Sequence, residues 1–478
     1  VDHGSVNVAL PTIASHFQTD LPTIQWVVII YALTIAALLL PMGRLSDLVG
    51  RKKIYIFGIM VLGIGAALSG LSTSLEMLFP SRILQGVGAA MTQGTGMAIV
   101  TSVFPANEKG RAIGMFMTMV GVGAIAGPAI GGMAVDLFDW RIVFFLTLPL
   151  NIIGAVATIW VMRGWTPVQE ARRDKFDWLG AALSTGVLVA LLLAMTTGNK
   201  AGWTSLPIMA AFGGAIGMLG TFIWWELRAD APMLDLRLFK GRTFSLGVSA
   251  AFLTFLGSSA VLFMMPFYLQ NVLGYSAKAA GFVVVPGAIC MAIMGTVSGV
   301  LSDRFGWRPF TVGGLASSAT GLLILSFVKE DSSIWMVVPA MMLMNTGMGT
   351  FYSPNSSSVM NAVGMAKYGV VSGFLNLIRN AANVTSIAFA TIIVTATMAS
   401  MGHEPNLEAV RGGAEGVGHA FTVGLRYAFL TMMGIVLLSM VLSALQPNQV
   451  VKPDAEPDES LDEAPREDIE LTEQESEV

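Results

Sequence analysis

Residues 43–53 read GRLSDLVGRKK, and residues 299–308 read GVLSDRFGWR. Both stretches fit the pattern G-x-L-S-D-x-x-G-x-[KR], and each follows a long apolar segment. Because the pattern occurs once in each half of the chain, we interpret it as the mark of two related halves. Repeats of this kind are a feature of helical membrane proteins whose ligand site lies near the midplane, between the repeats.

The composition around these two loops indicates a membrane protein. The chain has 478 residues, of which 54% are hydrophobic and 12% are charged, whereas a soluble protein carries about 25% charged residues. A membrane-spanning helix needs about 20 largely apolar residues. We therefore predict an all-α membrane protein with fourteen transmembrane helices, at residues 1–17, 23–42, 54–72, 75–104, 111–135, 142–162, 178–197, 205–227, 243–271, 279–301, 310–328, 334–363, 369–401 and 420–445.

The repeat divides these helices into two bundles of six. Residues 1–162 form the first predicted bundle, and residues 244–446 form the second. Residues 163–243 hold a charged linker and two inserted transmembrane helices. The chain starts at Val1 with Asp2 next to it, so we expect the first helix to be truncated, with its cytoplasmic half missing.

The positions of Lys and Arg predict the orientation. If successive loops alternate between the two sides, most basic residues fall on one side, which the positive-inside rule makes cytoplasmic. The other side receives only Arg141, Lys200, Lys278, Lys329, Arg411 and Arg426. Both termini are then cytoplasmic. Residues 447–478 read as a disordered acidic tail, since residues 454–478 carry many acids and a single base, Arg466.

The two repeated loops favour a conformational role as well as a topogenic one. Gly43 and Gly50 permit tight turns where helices end. Asp47 and Asp303 stand at equivalent positions of the two loops, and each loop also carries basic residues. A loop of this kind in each half can latch the cytoplasmic ends together in one of two states; the residues concerned are Asp47, Arg51, Asp303 and Arg304. The simpler alternative is that the basic residues only fix the topology.

Several functional classes lack their signatures. We find no G-x-x-x-x-G-K-[ST] nucleotide-binding loop, no CxxC and no HExxH metal motif. A single cysteine, Cys290, excludes a disulfide framework. Four dispersed histidines give no catalytic cluster. We therefore predict neither an enzyme nor a cofactor- or nucleic-acid-binding protein.

Four motifs carry a resemblance to a known family. The loop at 43–53 is similar to the signature loop of the major facilitator superfamily. Residues 2–11 (DHGSVNVALP) resemble the first-helix motif of drug:proton antiporters, residues 78–90 (LFPSRILQGVGAA) the fourth-helix motif, and residues 123–132 (GAIAGPAIGG) the fifth-helix antiporter motif. With fourteen spans, these motifs identify the chain as a member of the 14-span drug:proton antiporter branch. The resemblance implies alternating access, with export driven by inward proton flow and no cofactor.

Asp2 and Arg82 are the candidate proton-coupling pair. An ionisable side chain at membrane depth is costly and is functional by default. The resemblance makes Asp2 the proton-carrying acid, although Gly4 and Ser5 depart from the family, which commonly has Thr and an aliphatic residue there. It makes Arg82 a coupling residue that keeps the acid ionised until substrate or conformation separates them. The alternatives are that Asp2 lies at a helix end and that Arg82 is a structural clamp.

The fifth predicted helix contains small residues at a four-residue spacing, which suits close helix packing. Pro128 cannot donate a backbone hydrogen bond, so we expect the helix to bend there. A bent, closely packed interface between the halves would bias which side opens. The residues concerned are Gly123, Gly127, Pro128, Gly131 and Gly132.

Polar and aromatic positions on three helices of the second half predict a binding cavity. Polar stripes at membrane depth must face protein or water, and aromatic or Met-rich faces suit amphipathic ligands. With Gln85 of the first half, the candidate substrate-binding residues are Asn345, Tyr352, Asn376, Arg379, Asn380, Phe255 and Phe263. For each aromatic residue the alternative is ordinary packing between helices.

We therefore predict a proton-coupled antiporter that exports amphipathic small molecules, drug-like or cationic, across the plasma (inner) membrane, as a monomer. Its partners would be the substrate, protons and the lipid bilayer. A second hypothesis keeps the fold and makes the cargo one endogenous metabolite or lipid-like product. A third is a non-transporting membrane sensor or scaffold that uses the acidic tail.

Overall fold

The structure, a computed structural model, describes residues 2–103, 123, 126–161, 163, 176–202, 205–229, 236–363, 368–403 and 416–447. Within these ranges every regular element is helical. The first predicted bundle contains α1 (Asp2–His16), α2 (Leu21–Ile24), α3 (Trp26–Val49), α4 (Arg51–Gly70), α5 (Leu75–Val103), α6 (residues 126–137), α7 (Ile142–Phe145) and α8 (Thr147–Val161).

The remaining helices follow in the order that the hydropathy predicts. They are α9 (Trp178–Ala201), α10 (Leu206–Glu226), a short 3₁₀ helix (Leu236–Lys240), α11 (Arg242–Phe267) with a π-helical extension (Tyr268–Val272), α12 (Ala277–Phe305), α13 (Trp307–Leu325), α14 (Ile334–Asn361), α15 (Tyr368–Ser400) and α16 (Val417–Ala444).

The prediction of an all-helical membrane fold is confirmed. Among the described residues, nine helical segments are long and apolar enough to cross a bilayer, by length and composition. The predicted count of fourteen spans is not established by this part of the chain. Five of the predicted spans are not among these nine segments, at 1–17, 75–104, 111–135, 178–197 and 310–328, and most of the fifth span lies outside the described residues. The acidic tail beyond residue 447 also lies outside the described residues.

Helix packing follows the two halves of the sequence. α5 packs on both α3 and α4, while α14 packs on both α12 and α13, and α16 packs on α11 and α13. The halves meet where α15 lies along α3 and where α1 touches α11 and α12. The buried apolar core is continuous across this junction, since Leu10 and Ile13 of α1 belong to the same cluster as Phe263 and Phe267 of α11.

Equivalent glycines of the two repeated loops break the chain between consecutive helices. Gly50 separates α3 from α4 with φ +112°, and Gly306 separates α12 from α13 with φ +81°. Side chains with a Cβ rarely adopt such angles, so glycine is required at both places. Gly43 differs from the prediction of a turn: it lies inside α3, against α5, where a Cβ would be 3.7 Å from the carbonyl oxygen of Gly94.

The two inserted helices pack on each other and on the junction between the halves. α9 lies along α10, contacts α3 and α15, and is joined to α3 by a 2.9 Å hydrogen bond from Thr185 Oγ1 to the carbonyl oxygen of Ala37. Asp177 caps the start of α9 through the N–H of Gly180 and accepts a hydrogen bond from the indole of Trp225 on α10. These polar contacts fix the hairpin at the end where the basic loops lie.

Candidate functional site

Arg82 is fully buried on α5 and is held by polar and aromatic groups on three helices. Its Nε donates to the carbonyl oxygen of Val27 on α3 at 2.9 Å, and its Nη1 donates to Oε1 of Gln85 at 2.6 Å. The guanidinium carbon lies 4.1 Å from the ring centroid of Tyr31 and 5.6 Å from that of Phe144. Such cation–π contacts are stronger where water is excluded. The planar fork of arginine suits this arrangement, because it can donate in two directions while stacking on a ring.

Arg82 lies well inside the fourth predicted span. It is seven residues into α5, about 10 Å along the helix axis at 1.5 Å per residue. Gln85, which we predicted to bind substrate, is 0% exposed and is a direct partner of the guanidinium. The structure therefore brings Arg82 and Gln85 together as one polar unit. Asp2 is helical in α1, but its side chain lies outside the described part of the structure.

Two further amides lie buried in the first bundle. Asn7 on α1 and Gln25 at the start of α3 are 4% and 2% exposed. Neither Oδ1 of Asn7 nor Oε1 of Gln25 has a hydrogen-bond partner among the described residues. Buried acceptors are normally satisfied by protein, water or a ligand. The sequence did not predict a role for these two amides. Asn7 lies within the first-helix motif at residues 2–11, and no motif includes Gln25.

α1 and α6 pack with almost no space between their backbones. Ser5 Oγ donates to the carbonyl oxygen of Gly127 at 2.8 Å. A Cβ on Gly131 would lie 2.6 Å from Cα of Ser5, and one on Gly4 would lie 2.6 Å from Cδ of Pro128. The departures from the family pattern at Gly4 and Ser5 thus have a local reason: here the first residue must be small and the second forms a hydrogen bond.

Restoring the commoner residue with Gly4→Thr should therefore destabilise the protein by about 1–3 kcal/mol, the usual cost of overpacking. The measurement is the free energy of unfolding, or the melting temperature, of the purified protein in detergent. Gly63→Thr is the matched control, since a Cβ there would meet only ordinary contacts at 3.9 Å. Equal destabilisation by both variants would contradict the packing explanation.

α6 also reaches across to the second half. A Cβ on Gly132 would lie 2.5 Å from the carbonyl oxygen of Ala277, and one on Gly281 would collide with the carbonyl oxygen of Pro128. These contacts lie at the end of the bundle opposite the two repeated basic loops, which we call the outer end. Gly123 is helical, but its neighbours at 124–125 lie outside the described residues. At the outer end the two halves are therefore in backbone contact through α6 and α12.

The predicted cavity residues of α11 and α14 are only partly brought together. Phe255 and Tyr352 meet edge to face, with ring centroids 5.7 Å apart. Phe263 is fully buried and packs on Phe267 at 5.3 Å, as a core residue would. Asn345 donates to the carbonyl oxygen of Met341 on its own helix at 2.9 Å.

The polar stripe of α15 lies along the middle of a long helix. Asn380 is 4% exposed and donates to the carbonyl oxygen of Asn376 at 2.9 Å. Arg379 is half-buried, about 16 Å from the start of the 33-residue helix. No carboxylate among the described residues forms a salt bridge with it. An intramembrane cation in this setting is a functional candidate by default.

A cavity of about 390 Å³ opens beside this stripe, towards the basic-loop end. It lies between α11 and α15 and is closed on one side by the 3₁₀ helix. Its walls are apolar apart from one hydroxyl, and its lining residues are Phe239, Val248, Ser249, Phe252, Leu253, Phe374 and Ile378. None of the predicted binding residues lines it, but Phe252 is one turn before Phe255 and Ile378 precedes Arg379 on the same helices.

The basic loops are described only in part. Arg51 begins α4, and Arg304 is exposed in the last turn of α12. The side chains of Asp47 and Asp303 lie outside the described part of the structure. The predicted latch between acids and bases at these loops therefore stays a prediction.

Long apolar helices in two packed halves, a repeated loop and a buried arginine at membrane depth define a multi-pass membrane protein of the secondary-transporter class. A family model described as Major Facilitator Superfamily matches residues 1–387. The chain belongs to that family, and it is therefore a transporter of small-molecule substrates and not an enzyme. The predicted family resemblance is confirmed.

Named relatives and a solved structure agree with this assignment. The chain is 34% identical over 392 residues to the riboflavin transporter RibZ of Clostridioides difficile (strain 630), covering 81% of this chain and 84% of that one. It is 33% identical over 408 residues to the multidrug resistance protein Stp of Mycobacterium tuberculosis (strain CDC 1551 / Oshkosh), covering 84% and 74%. A bacterial homolog of the human lysosomal transporter Spinster, in an inward-facing and unoccupied conformation, shares the fold with a TM-score of 0.62, at 17% identity over 93% of each chain.

Proposed function

We propose that this transporter is a proton-coupled antiporter that exports amphipathic small molecules by alternating access. The observation that carries the proposal is the buried polar unit of Arg82 and Gln85 on α5. A fully buried cation is expensive unless it is paired and hydrogen-bonded. Its retention at membrane depth is explained if the charge takes part in moving a proton.

Asp2 is the acid that we assign to this step. It lies on α1, the helix that also holds the buried amide of Asn7 and the hydroxyl of Ser5. A nearby cation favours the ionised form of a carboxyl group, and burial favours the neutral form. A carboxyl group whose surroundings alternate between these two influences would load and release a proton in each cycle.

The walls of the cavity between α11 and α15 support this choice of cargo. Three phenylalanines and aliphatic side chains leave one hydroxyl as the polar group of the lining. Its volume falls within the range of about 300–1,000 Å³ that is usual for small-molecule sites. Apolar molecules that also carry a polar or charged group fit such a site at the level of the inner leaflet. Similar proteins named as multidrug proteins also favour this cargo.

The wider organisation belongs to the same proposal. It comprises fourteen spans, bundles at 1–162 and 244–446, an inserted pair within 163–243 and a tail at 447–478. In this proposal both termini lie in the cytoplasm, and the protein is a monomer in the plasma membrane. The packing of α5 on α3 and α4, repeated by α14 on α12 and α13, supports the two-bundle division.

A second candidate function is the transport of one metabolite. It is favoured by the similarity to a protein named as a riboflavin transporter. A counterflow screen in proteoliposomes separates the two candidates: exchange of many unrelated amphipathic compounds supports the multidrug function, and exchange of a single planar metabolite supports the dedicated one. Membership of a transporter family weighs against the non-transporting sensor.

The proposed coupling is tested in proteoliposomes with an imposed pH gradient. We expect uptake of an amphipathic dye against its concentration gradient, and collapse of that uptake when an ionophore dissipates the pH gradient. An Asp2→Asn variant should lose gradient-driven uptake and keep downhill exchange of the dye, because the site that binds the dye remains. Unchanged gradient-driven uptake in the folded variant would contradict a proton-carrying role for Asp2.

A further inference from the structure

The outer end of the bundle contains a side-chain hydrogen bond that joins the two halves. Gln270 Nε2, on the π-helical segment after α11, donates to the carbonyl oxygen of Val8 on α1 at 2.8 Å. The two residues are far apart in the sequence, and Val8 is 1% exposed. The bond therefore lies at the seam between the bundles and is partly buried.

The local backbone is irregular on both sides of this contact. Pro11 lies inside α1, three residues after Val8, and has no N–H, so the carbonyl of Asn7 loses its helical donor in the turn that contains Val8. On the other side, the π-helix at Tyr268–Val272 adds a residue to one turn and re-aims the side chains that follow. Single π-helical turns occur frequently at functional sites.

The surrounding contacts indicate that the bond opposes separation of the two halves at the outer end. The halves touch at the same end through α6 and α12, where Gly132 meets Ala277 and Gly281 meets Pro128. Those contacts are backbone packing, which excludes larger side chains but gives little directional preference. The bond from Gln270 is directional, and it is broken as soon as α1 and α11 separate.

We propose that Gln270 is the positioning residue of an outer gate, whose hydrogen bond to Val8 selects the state that is closed at the outer end. Opening that end costs this bond, and so the bond sets how often the transporter presents its site to the outside. The proposal rests on alternating access between two bundles. It does not rest on proton coupling or on the nature of the cargo.

The test measures the distance between the bundles at the outer end. Spin labels are placed on cysteines introduced at Gln18 and Lys278, both exposed, after Cys290, the single native cysteine, is replaced by serine. In nanodiscs, Gln270→Leu should raise the ratio of open to closed outer ends about threefold to tenfold, the effect of losing one partly buried hydrogen bond.

A matched control distinguishes gating from general loosening. Thr254 on the same helix forms buried hydrogen bonds with Ser439 and the carbonyl of Ala250, all inside the second bundle. Thr254→Val should leave the open-to-closed ratio at the level of the labelled parent. An equal shift in both variants, or no shift with Gln270→Leu, would overturn the proposal.

Gln270→Glu gives a readout that a purely structural role would not produce. Its carboxylate faces the carbonyl oxygen of Val8 without a proton to donate, so the outer end should open at neutral pH. At acidic pH the protonated carboxyl can donate to that oxygen, and the closed state should return. The other titratable or charged groups at this end are the same in Gln270→Glu and Gln270→Leu, so the second variant corrects for them. Among the described residues they include His16, Asp20, Asp136, Asp139, Arg141, Tyr275, Lys329, Glu330, Asp331, His419 and Arg426.

A pH response of Gln270→Glu that does not exceed that of Gln270→Leu would contradict the assigned hydrogen bond. Because distances are measured without substrate or a pH gradient, this outcome is independent of the proteoliposome result. If the distance measurements agree with the gate but the protein shows no gradient-driven transport, the role of Gln270 stands. The proposed antiporter function is then contradicted.

Discussion

Replacing Arg82 with glutamine should lower gradient-driven transport by about a hundredfold while the protein still folds. The guanidinium donates to Val27 and Gln85 and stacks on Tyr31, all away from bulk water. Hydrogen bonds from a charged group contribute about 1.5–3 kcal/mol each, and about 1.4 kcal/mol is a factor of ten. Removing the charge also removes its burial cost, which offsets part of the lost stability.

The comparison with Arg82→Lys separates the two interpretations of this residue. Lysine keeps the charge, but a single ammonium group cannot reproduce the forked donation and the flat stacking of arginine. If the charge acts in coupling, the Arg82→Lys variant should retain clearly more transport than the Arg82→Gln variant at a similar melting temperature. If Arg82 is a structural clamp, both variants should lose transport in proportion to their loss of thermal stability.

Arg141→Gln is the control for the loss of an arginine as such. Arg141 also pairs with polar and aromatic groups, through Asp139 at 2.7 Å and Trp140 at 4.5 Å, but its side chain is 29% exposed. Exposed ion pairs contribute about 0–1 kcal/mol. We expect near-normal transport from this variant. A defect as large as that of Arg82→Gln would contradict a special role for the buried position.

Gly281→Leu should abolish transport by preventing the outer end from closing. Any Cβ at this position collides with the carbonyl oxygen of Pro128, and a backbone oxygen cannot rotate away as a side chain can. Because the collision is between the bundles and not within one, each bundle can still fold. The expected result is a protein of normal yield and dispersity that is trapped open at the outer end.

The trapped state is measured by labelling a cysteine introduced at Val8, which is buried when the outer end is closed. A membrane-impermeant maleimide should react about tenfold to a hundredfold faster in the Gly281→Leu background, in line with an overpacking cost of about 1–3 kcal/mol. Gly434→Leu is the matched control, since a Cβ there meets nothing within 4 Å. Labelling at the control rate with normal transport would disprove the collision.

Local sequence rules predicted the features that depend on short stretches of chain. The helices follow from apolar runs, the breaks at Gly50 and Gly306 follow from the repeated motif, and the hydrogen bonds of the buried Arg82 follow from the cost of an unpaired charge inside an apolar helix. The prediction of a turn at Gly43 was wrong because it also relied on local sequence alone. A glycine can mark a turn or a close packing contact, and only the position of α5 beside it shows which one applies.

Contacts between distant parts of the chain could not be predicted. The local hydrogen bond between Gln85 and Arg82 joins residues on one helix face, whereas the partners of Arg82 on other helices had no signal in the sequence. Tyr31 under the guanidinium and Gln270 on Val8 depend on how the helices assemble. Phe255 and Phe263 were predicted on α11, and the phenylalanine of that helix that lines the cavity is Phe252, since one turn of α11 changes which side chain points into the space.

The position of α9 has a mechanical consequence. This helix is hydrogen-bonded to α3 through Thr185 and lies in van der Waals contact with α15. A helix that is hydrogen-bonded to one half and packs against the other would restrict how one half moves past the other. If the halves rock during transport, the inserted pair would limit the directions of that motion.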